Sequence, residues 1–149
     1  MKIVRASEKD ISVIVDMKLK MSKELGIDFI FQENVEEKIK QTYLSLYKED
    51  KGCHFILYED NQVVAIGGAM LKEDVPFCFF KTPYYGFIMD VYCISEKRRK
   101  GYATEIMHAV LKWLEEKEVH MIKLKPSHEG QLLYEKLGFQ NTGEMEKFI

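Results

Sequence analysis

Residues 90–107 read DVYCISEKRRKGYATEIM, and the fold is decided here. The first part ends an apolar run, YYGFIMDVYCI (84–94), of the kind expected for a central strand covered on both faces. The last part opens a helix from Gly101 to about Lys117, with Ala103, Ile106, Val110 and Leu114 on one stripe. Between them lies SEKRRKG (95–101), a turn carrying Arg98, Arg99 and Lys100 and closed by Gly101. A further β-rich run, VHMIKLK (119–125), follows the helix. Strand, helix and strand in this order predict a right-handed βαβ unit with parallel strands.

The turn has the physical character of an anion site. A helix N-terminus offers N–H groups without intrahelical partners and the positive end of the helix dipole. Anions bind there. Gly101 allows close backbone approach, and the small Ala103 keeps the first turn clear. Neither GxxxxGK[ST] nor GxGxxG occurs, so a P-loop and a dinucleotide fingerprint are both excluded. The plainer alternative is a solvated basic turn capping a helix.

Working outward, KIVRA (2–6) reads as a strand and Ser7 as the N-cap of a helix carrying Ile11, Ile14, Val15, Leu19 and Met21, stopped at Leu25–Gly26. Asn34, with Glu37 three residues on, has capping-box spacing for a second helix ending near Asp50. CHFILYED (53–60) and QVVAIGGAML (62–71) form a hairpin around Glu59-Asp60-Asn61. A connector, KEDVPFCFFKTP (72–83), leads to the central strand. After residue 125, a helix from Pro126–Ser127 through Leu137 is ended by Gly138, and FQNTGEMEKFI (139–149) supplies one or two final strands. The expected fold is α/β, with a mixed, mostly antiparallel sheet around a central parallel βαβ unit and flanking helices. Residues 1–149 are expected to form a single domain, since 149 residues fit one core.

Composition narrows the function. Hydrophobic residues make up 46% and charged residues 31%, and the net charge of −2 argues against nucleic-acid or membrane binding by overall charge. Cys53, Cys78 and Cys93 are odd in number with no CxxC pair, so reduced thiols in a cytoplasmic protein are expected. The amino terminus has no signal-peptide h-region, and no apolar run reaches about 18 residues. His54, His108, His120 and His128 show no metal-ligand spacing and HExxH is missing, so no metal is expected.

The stretch DVYCISEKRRKGYATEIM, with Arg98-x-x-Gly101-x-Ala103 after a strand, resembles motif A of the GCN5-related N-acetyltransferases (GNAT), [QR]-x-x-G-x-[GA]. LLYEKLGF (132–139) resembles the family's motif B, with Tyr134 on the helix after the next strand, and the element order matches along nearly the whole chain. The resemblance implies an acetyltransferase that moves an acetyl group from acetyl-CoA to a primary amine by direct attack. It implies that the backbone of Val91, Tyr92 and Cys93 pairs with the pantetheine arm, at a point where the family often has a β-bulge. It also implies that amides from Arg99, Lys100, Gly101, Tyr102, Ala103 and Thr104, preceded by Arg98, hold the pyrophosphate. Where the family commonly has Asn beside the pantetheine, this chain has Ser127, which is equally a helix cap.

Tyr134 is the candidate acid: a tyrosine titrates near 10 and a thiol near 8.5, so a placed phenol can share its proton with a departing thiolate. Its alternative is an ordinary half-buried aromatic. Asp90 is the candidate group for binding or deprotonating the amine, against an equally weighted structural carboxylate. No carboxylate stands in HMIKLK (120–125), where some families of this fold place a Glu base. Cys93 is a candidate for a covalent route, though nothing adjacent activates it. Glu33, Glu73 and Asp74, with the aromatics Phe29, Phe31, Phe77, Phe79, Phe80, Tyr84 and Tyr85, border the expected acceptor cleft, for a small-molecule or peptide amine; the aromatics equally fit a homodimer interface. His128 is left open. The rival functions are a non-catalytic CoA-binding sensor and a protein-interaction domain.

Overall fold

A computed structural model describes residues 1–75 and 82–149. The elements run β1 (Lys2–Arg5), α1 (Ile11–Glu24), α2 (Val35–Lys48), β2 (Gly52–Glu59), β3 (Gln62–Glu73), β4 (Tyr84–Cys93), α3 (Tyr102–Glu116), β5 (Ile122–Lys123) and α4 (Gln131–Lys136). The strands form one mixed sheet in the order β1-β2-β3-β4-β5, antiparallel except for the β4–β5 pair. The mixed α/β expectation therefore holds, with the parallel pair at the edge of the sheet rather than its centre. Among the described residues no helix is long and apolar enough to cross a membrane.

The two faces of the sheet carry separate cores. On one, Ile11, Ile14, Val15 and Met17 of α1 and Tyr43 of α2 pack against Ile56, Ile66 and Tyr92. On the other, Ile106, Met107, Val110, Trp113 and Leu114 of α3 pack against Cys53, Leu57, Ala65, Ala69 and Ile88. This is the period-2 alternation of strands set against the 3.6-residue stripe of α3.

Three sequence expectations change at the boundaries. Residues 119–125 pair with β4 only at Ile122 and Lys123, opposite Gly86 and Phe87. Beyond that point the parallel strands part and the ladder stops. Residues 127–130 make a turn, with the Gly130 N–H donating to Ser127 Oγ at 3.2 Å, so α4 is shorter than expected. The final strands in 139–149 do not form, and Met145, Phe148 and Ile149 stay exposed without an apolar face to cover. At the other end, Ser7 donates its N–H and hydroxyl to Asp10 Oδ2, which starts the turn into α1. Asn34 stands at the N-cap of α2 with a left-handed backbone and no side-chain capping bond.

One irregularity sets the directions of Asp90 and Val91. The β3–β4 ladder pairs Ile66 with Tyr92 and then Gly68 with Met89, so Gly67 alone stands opposite Asp90 and Val91. This is a β-bulge, and Asp90 has φ +57°. The bulge slips the alternation of β4 by one. Met89 already packs on the α1/α2 side, and Asp90 turns to that side as well, while Val91 packs on the α3 side. Regular alternation would aim the Asp90 carboxylate at the apolar face of α3.

Two glycines opposite the bulge make room for both layers. A Cβ on Gly67 would come within 2.3 Å of Ile106, and one on Gly68 within 2.4 Å of the His54 ring and 2.6 Å of the Cys53 carbonyl oxygen. The carbonyl belongs to the sheet and cannot yield. Gly68→Ala is therefore expected to destabilise the protein by about 1–3 kcal/mol, read as a lower denaturant midpoint; an unchanged midpoint would contradict this packing.

Candidate active site

The bulge, the basic turn and the start of α3 are continuous in the chain. Arg99 and Gly101 both have positive φ, +62° and +83°. Backbone of this kind turns N–H groups toward one concavity, the geometry of an anion nest. The first intrahelical bond of α3 runs from the Glu105 N–H to the Gly101 carbonyl, so the amides of Tyr102, Ala103 and Thr104 have no intrahelical acceptor. A Cβ on Gly101 would meet nothing within 4 Å, which leaves the approach to these amides open.

The side chains of the turn are tied from below. Glu59, at the end of β2, accepts from Lys97 and from the Tyr102 hydroxyl, with Lys100 Nζ 3.7 Å away. The hydrogen bonds from Lys97 and Tyr102 hold its carboxyl down at about 2. Tyr102 is correspondingly raised to about 12 by its bond to that carboxylate. Arg98 donates from Nε to the Cys93 carbonyl at 3.0 Å and from its guanidinium to Glu24, with Glu129 at 3.8 Å. Glu24 also accepts from the Tyr92 hydroxyl at 3.1 Å. Arg98 thus ties the end of β4 to the end of α1 and the approach to α4. Among the described residues Arg99 makes no ion pair, so its charge is available to a ligand.

Asp90 is a junction. Its side chain is 1% exposed. Oδ1 accepts from Lys18; Oδ2 accepts from the Tyr43 hydroxyl and, at 2.9 Å, from His54 Nε2. His54 Nδ1 lies 2.8 Å from the Tyr47 hydroxyl. A carboxylate only accepts, so Nε2 carries the proton toward Asp90. Burial works to raise the Asp90 pKa, but the His54 hydrogen bond and the Lys18 charge outweigh it and hold the carboxyl well below the usual range. Burial and the Asp90 charge push both Tyr43 and Tyr47 upward, so both remain donors. Both Asp90 oxygens are thus engaged within the protein.

Tyr134 lies half-buried beside Phe139, ring centroids 6.1 Å apart. Burial raises its pKa, and among the described residues its hydroxyl meets no hydrogen-bond partner. Ser127 is exposed and caps the turn before α4. The Cys93 thiol is raised by burial and points to the Ile94 carbonyl at 3.6 Å, which makes it a poor nucleophile. Glu33, Glu73 and His128 are exposed, as is Phe29; Phe31, Asp74, Tyr84 and Tyr85 are intermediate. Phe77, Phe79, Phe80 and Cys78 lie outside the described residues. The broad surface groove lined by His108, Leu111, Lys112, Glu115, Val119 and Ile122 contains none of the candidates.

Sequence reasoning missed Glu59, Glu24, Lys18, Tyr43 and the role of His54. Two signals pointed that way: a single acid inside an apolar strand, and a Gly-Gly pair inside its neighbour.

The sequence profile of the Acetyltransferase (GNAT) family matches residues 20–139. No curated protein matches the chain by sequence. Several solved structures share the fold. A predicted acetyltransferase from Clostridium acetobutylicum, solved with acetyl-CoA, superimposes with TM-score 0.90 at 24% identity, over 99% of this chain and 95% of that one. A GCN5-related N-acetyltransferase from Ralstonia eutropha gives 0.89 at 20%, over 99% and 97%. An aminoglycoside 6'-N-acetyltransferase from Acinetobacter haemolyticus gives 0.75 at 20%, over 100% and 97%. At these identities the likeness is one of fold.

Glu59 gives the site a pH signature. Its folded pKa of about 2 lies below the ordinary value of 4.5, so its contribution to stability is present above pH 4.5 and lost as pH falls toward 2. Glu59→Gln is expected to flatten that part of the acid limb of a thermal-stability profile, leaving the share of Asp90, Asp10 and Asp50 in place. An acid limb identical to wild type would show that Glu59 does not carry the turn's charges.

Proposed function

The chain belongs to the acetyltransferase (GNAT) family and is an acetyltransferase; from that premise we propose that it moves an acetyl group from acetyl-CoA to the primary amine of a small molecule by direct attack. The observation that carries this reading is the unbroken sequence of a bulged strand, a left-handed basic turn and a helix start with open amides. A long phosphorylated thioester can lay its amides along such a strand and its pyrophosphate on such a helix start.

Each residue then has a task. The amides of Arg99, Lys100, Gly101, Tyr102, Ala103 and Thr104 take the pyrophosphate, with Arg99 adding charge. Val91, Tyr92 and Cys93 offer backbone to the two amides of the pantetheine arm, on the side where β4 loses its partner past Phe87. Arg98 holds the join between these two parts through the Cys93 carbonyl. Ser127 borders the same stretch. Bound acetyl-CoA supplies an activated acyl thioester. In this reading the Val91 amide, at the break in the β3–β4 register, polarises the thioester carbonyl.

Tyr134 holds a proton on Oη. Its raised pKa keeps it protonated at neutral pH, and its hydroxyl is not engaged elsewhere. The amine attacks in its neutral form; as the C–N bond forms and the C–S bond breaks, the phenol proton passes to the departing sulfur, and the proton shed by the nitrogen returns to the Tyr134 oxygen. Asp90 serves by holding the bulge rather than by deprotonating the amine. Glu33, Glu73 and Asp74 favour a cationic acceptor. The exposed Leu25, Ile27, Phe29 and Ile30 fit one with an apolar part. The fold is shared with an enzyme acting on aminoglycosides, which are small amines.

Acetyl-CoA at 100 times its dissociation constant is expected to stabilise the protein by about 2.7 kcal/mol, seen as a rise in Tm of several degrees. Gly101→Val removes that rise, because its side chain enters the open space above the amides. A rise that survives in Gly101→Val places the nucleotide elsewhere. Tyr134→Phe is expected to lower turnover by about 100-fold with the acetyl-CoA shift intact; turnover equal to wild type ends the acid role.

A further inference from the structure

The residues around Asp90 come from three elements and none touches the basic turn. Lys18 lies on α1, Tyr43 and Tyr47 on α2, and His54 on β2. His54 is fully buried, and both ring nitrogens are bonded. With the proton on Nε2, the chain of donors is continuous: the Tyr47 hydroxyl donates to Nδ1, and Nε2–H donates to Asp90. Tyr43 and Lys18 complete the carboxylate. Gly68 is cut back to hydrogen where a Cβ would strike the imidazole. The sheet therefore reserves space for this ring and aims it at Asp90.

Resting on the acetyl-CoA reading above, we propose that His54 is a positioning residue for acetyl transfer: held by Tyr47, it fixes Asp90 on the α1/α2 side and so keeps Val91 turned to the thioester. Two arrangements of β4 compete at this point. In the bulged one, Asp90 is left-handed, a conformation that disfavours most residues and that Asp tolerates better than others. In the regular one, the carboxylate would face Ile88 and Ile106 on the α3 side without a partner. The bulge persists because the buried carboxylate finds all its donors on one side. Lys18 is partly exposed, with its side chain 25% accessible. His54 is wholly buried and braced at both nitrogens, so it supplies the fixed direction. Its influence reaches the reacting carbonyl only through Asp90 and the backbone of Val91.

The test is a ¹H–¹⁵N spectrum of the free protein and its titration with CoA and acetyl-CoA, for wild type, His54→Leu, His54→Gln and Tyr47→Phe. Leu keeps bulk and removes the donor; Gln keeps an N–H near the Nε2 position. His54→Leu is expected to displace the Asp90 and Val91 amide resonances. It also abolishes the extra Val91 shift that acetyl-CoA gives over CoA. CoA affinity changes by no more than about twofold, as for independent sites. Gln restores both resonances toward wild type. Tyr47→Phe, the milder change should Leu at 54 not fold, moves the same resonances by less. Asp90 and Val91 amides that stay in place in Leu and Phe, or a Gln variant no better than Leu, overturn the proposal. A wild type whose spectrum ignores millimolar CoA sinks the acetyl-CoA reading alone, because displacement in the free protein still decides whether His54 holds the bulge.

Discussion

A carboxylate buried inside a β-sheet must have partners, and in this protein the partners lie on one side only. Taking an isolated carboxylate out of water costs several kcal/mol unless donors replace the hydration. Asp90 meets Lys18, Tyr43 and His54 on the α1/α2 side and would meet only apolar groups on the other. The strand resolves this by inserting one residue, and the bulge follows. From the bulge follow the break in the β3–β4 ladder and the slipped alternation that puts Tyr92 on the α1/α2 side.

The basic turn is built on a second set of constraints, carboxylates beneath cations. Glu59 gathers Lys97, Lys100 and Tyr102, while Glu24 takes Arg98 and Tyr92. Most of the turn's positive charge is thus spent on shape. What it presents outward is backbone: amides aligned by left-handed Arg99 and Gly101, plus the Arg99 side chain. This explains how a chain of net charge −2 can carry an anion site without being a polyanion binder. Recognition rests on a few fixed dipoles rather than on a field.

How legible this was in sequence varied with the range of the interactions. The apolar stripe of α3, the hairpin at Glu59-Asp60-Asn61 and the basic turn are local patterns, and the structure follows them. The short β5 and the missing final strands were not legible, because their extent depends on a partner strand. VHMIKLK has β-rich composition, yet it pairs only at Ile122 and Lys123. The bulge was suggested only by the family resemblance, and its cause was hidden for a stronger reason. Its donors stand 72, 47 and 36 residues from Asp90 in the chain, so no window around residue 90 contains the cause. The family resemblance put Asp90 near the reacting group and left its role divided between base and structural carboxylate; its partners come from contacts that no local reading contains. His54 was read for metal spacing and set aside, although its real neighbour lies two strands away.

The most direct test of the account is a crystal structure of the protein with acetyl-CoA, inspected at Val91. The account predicts a bulge still in place, Asp90 still left-handed and bonded to His54, and the Val91 N–H directed at the thioester carbonyl, with the pyrophosphate over Gly101. A nucleotide bound with β4 straightened into a regular strand, or with the Asp90 carboxylate released from His54 to contact the ligand, would contradict it.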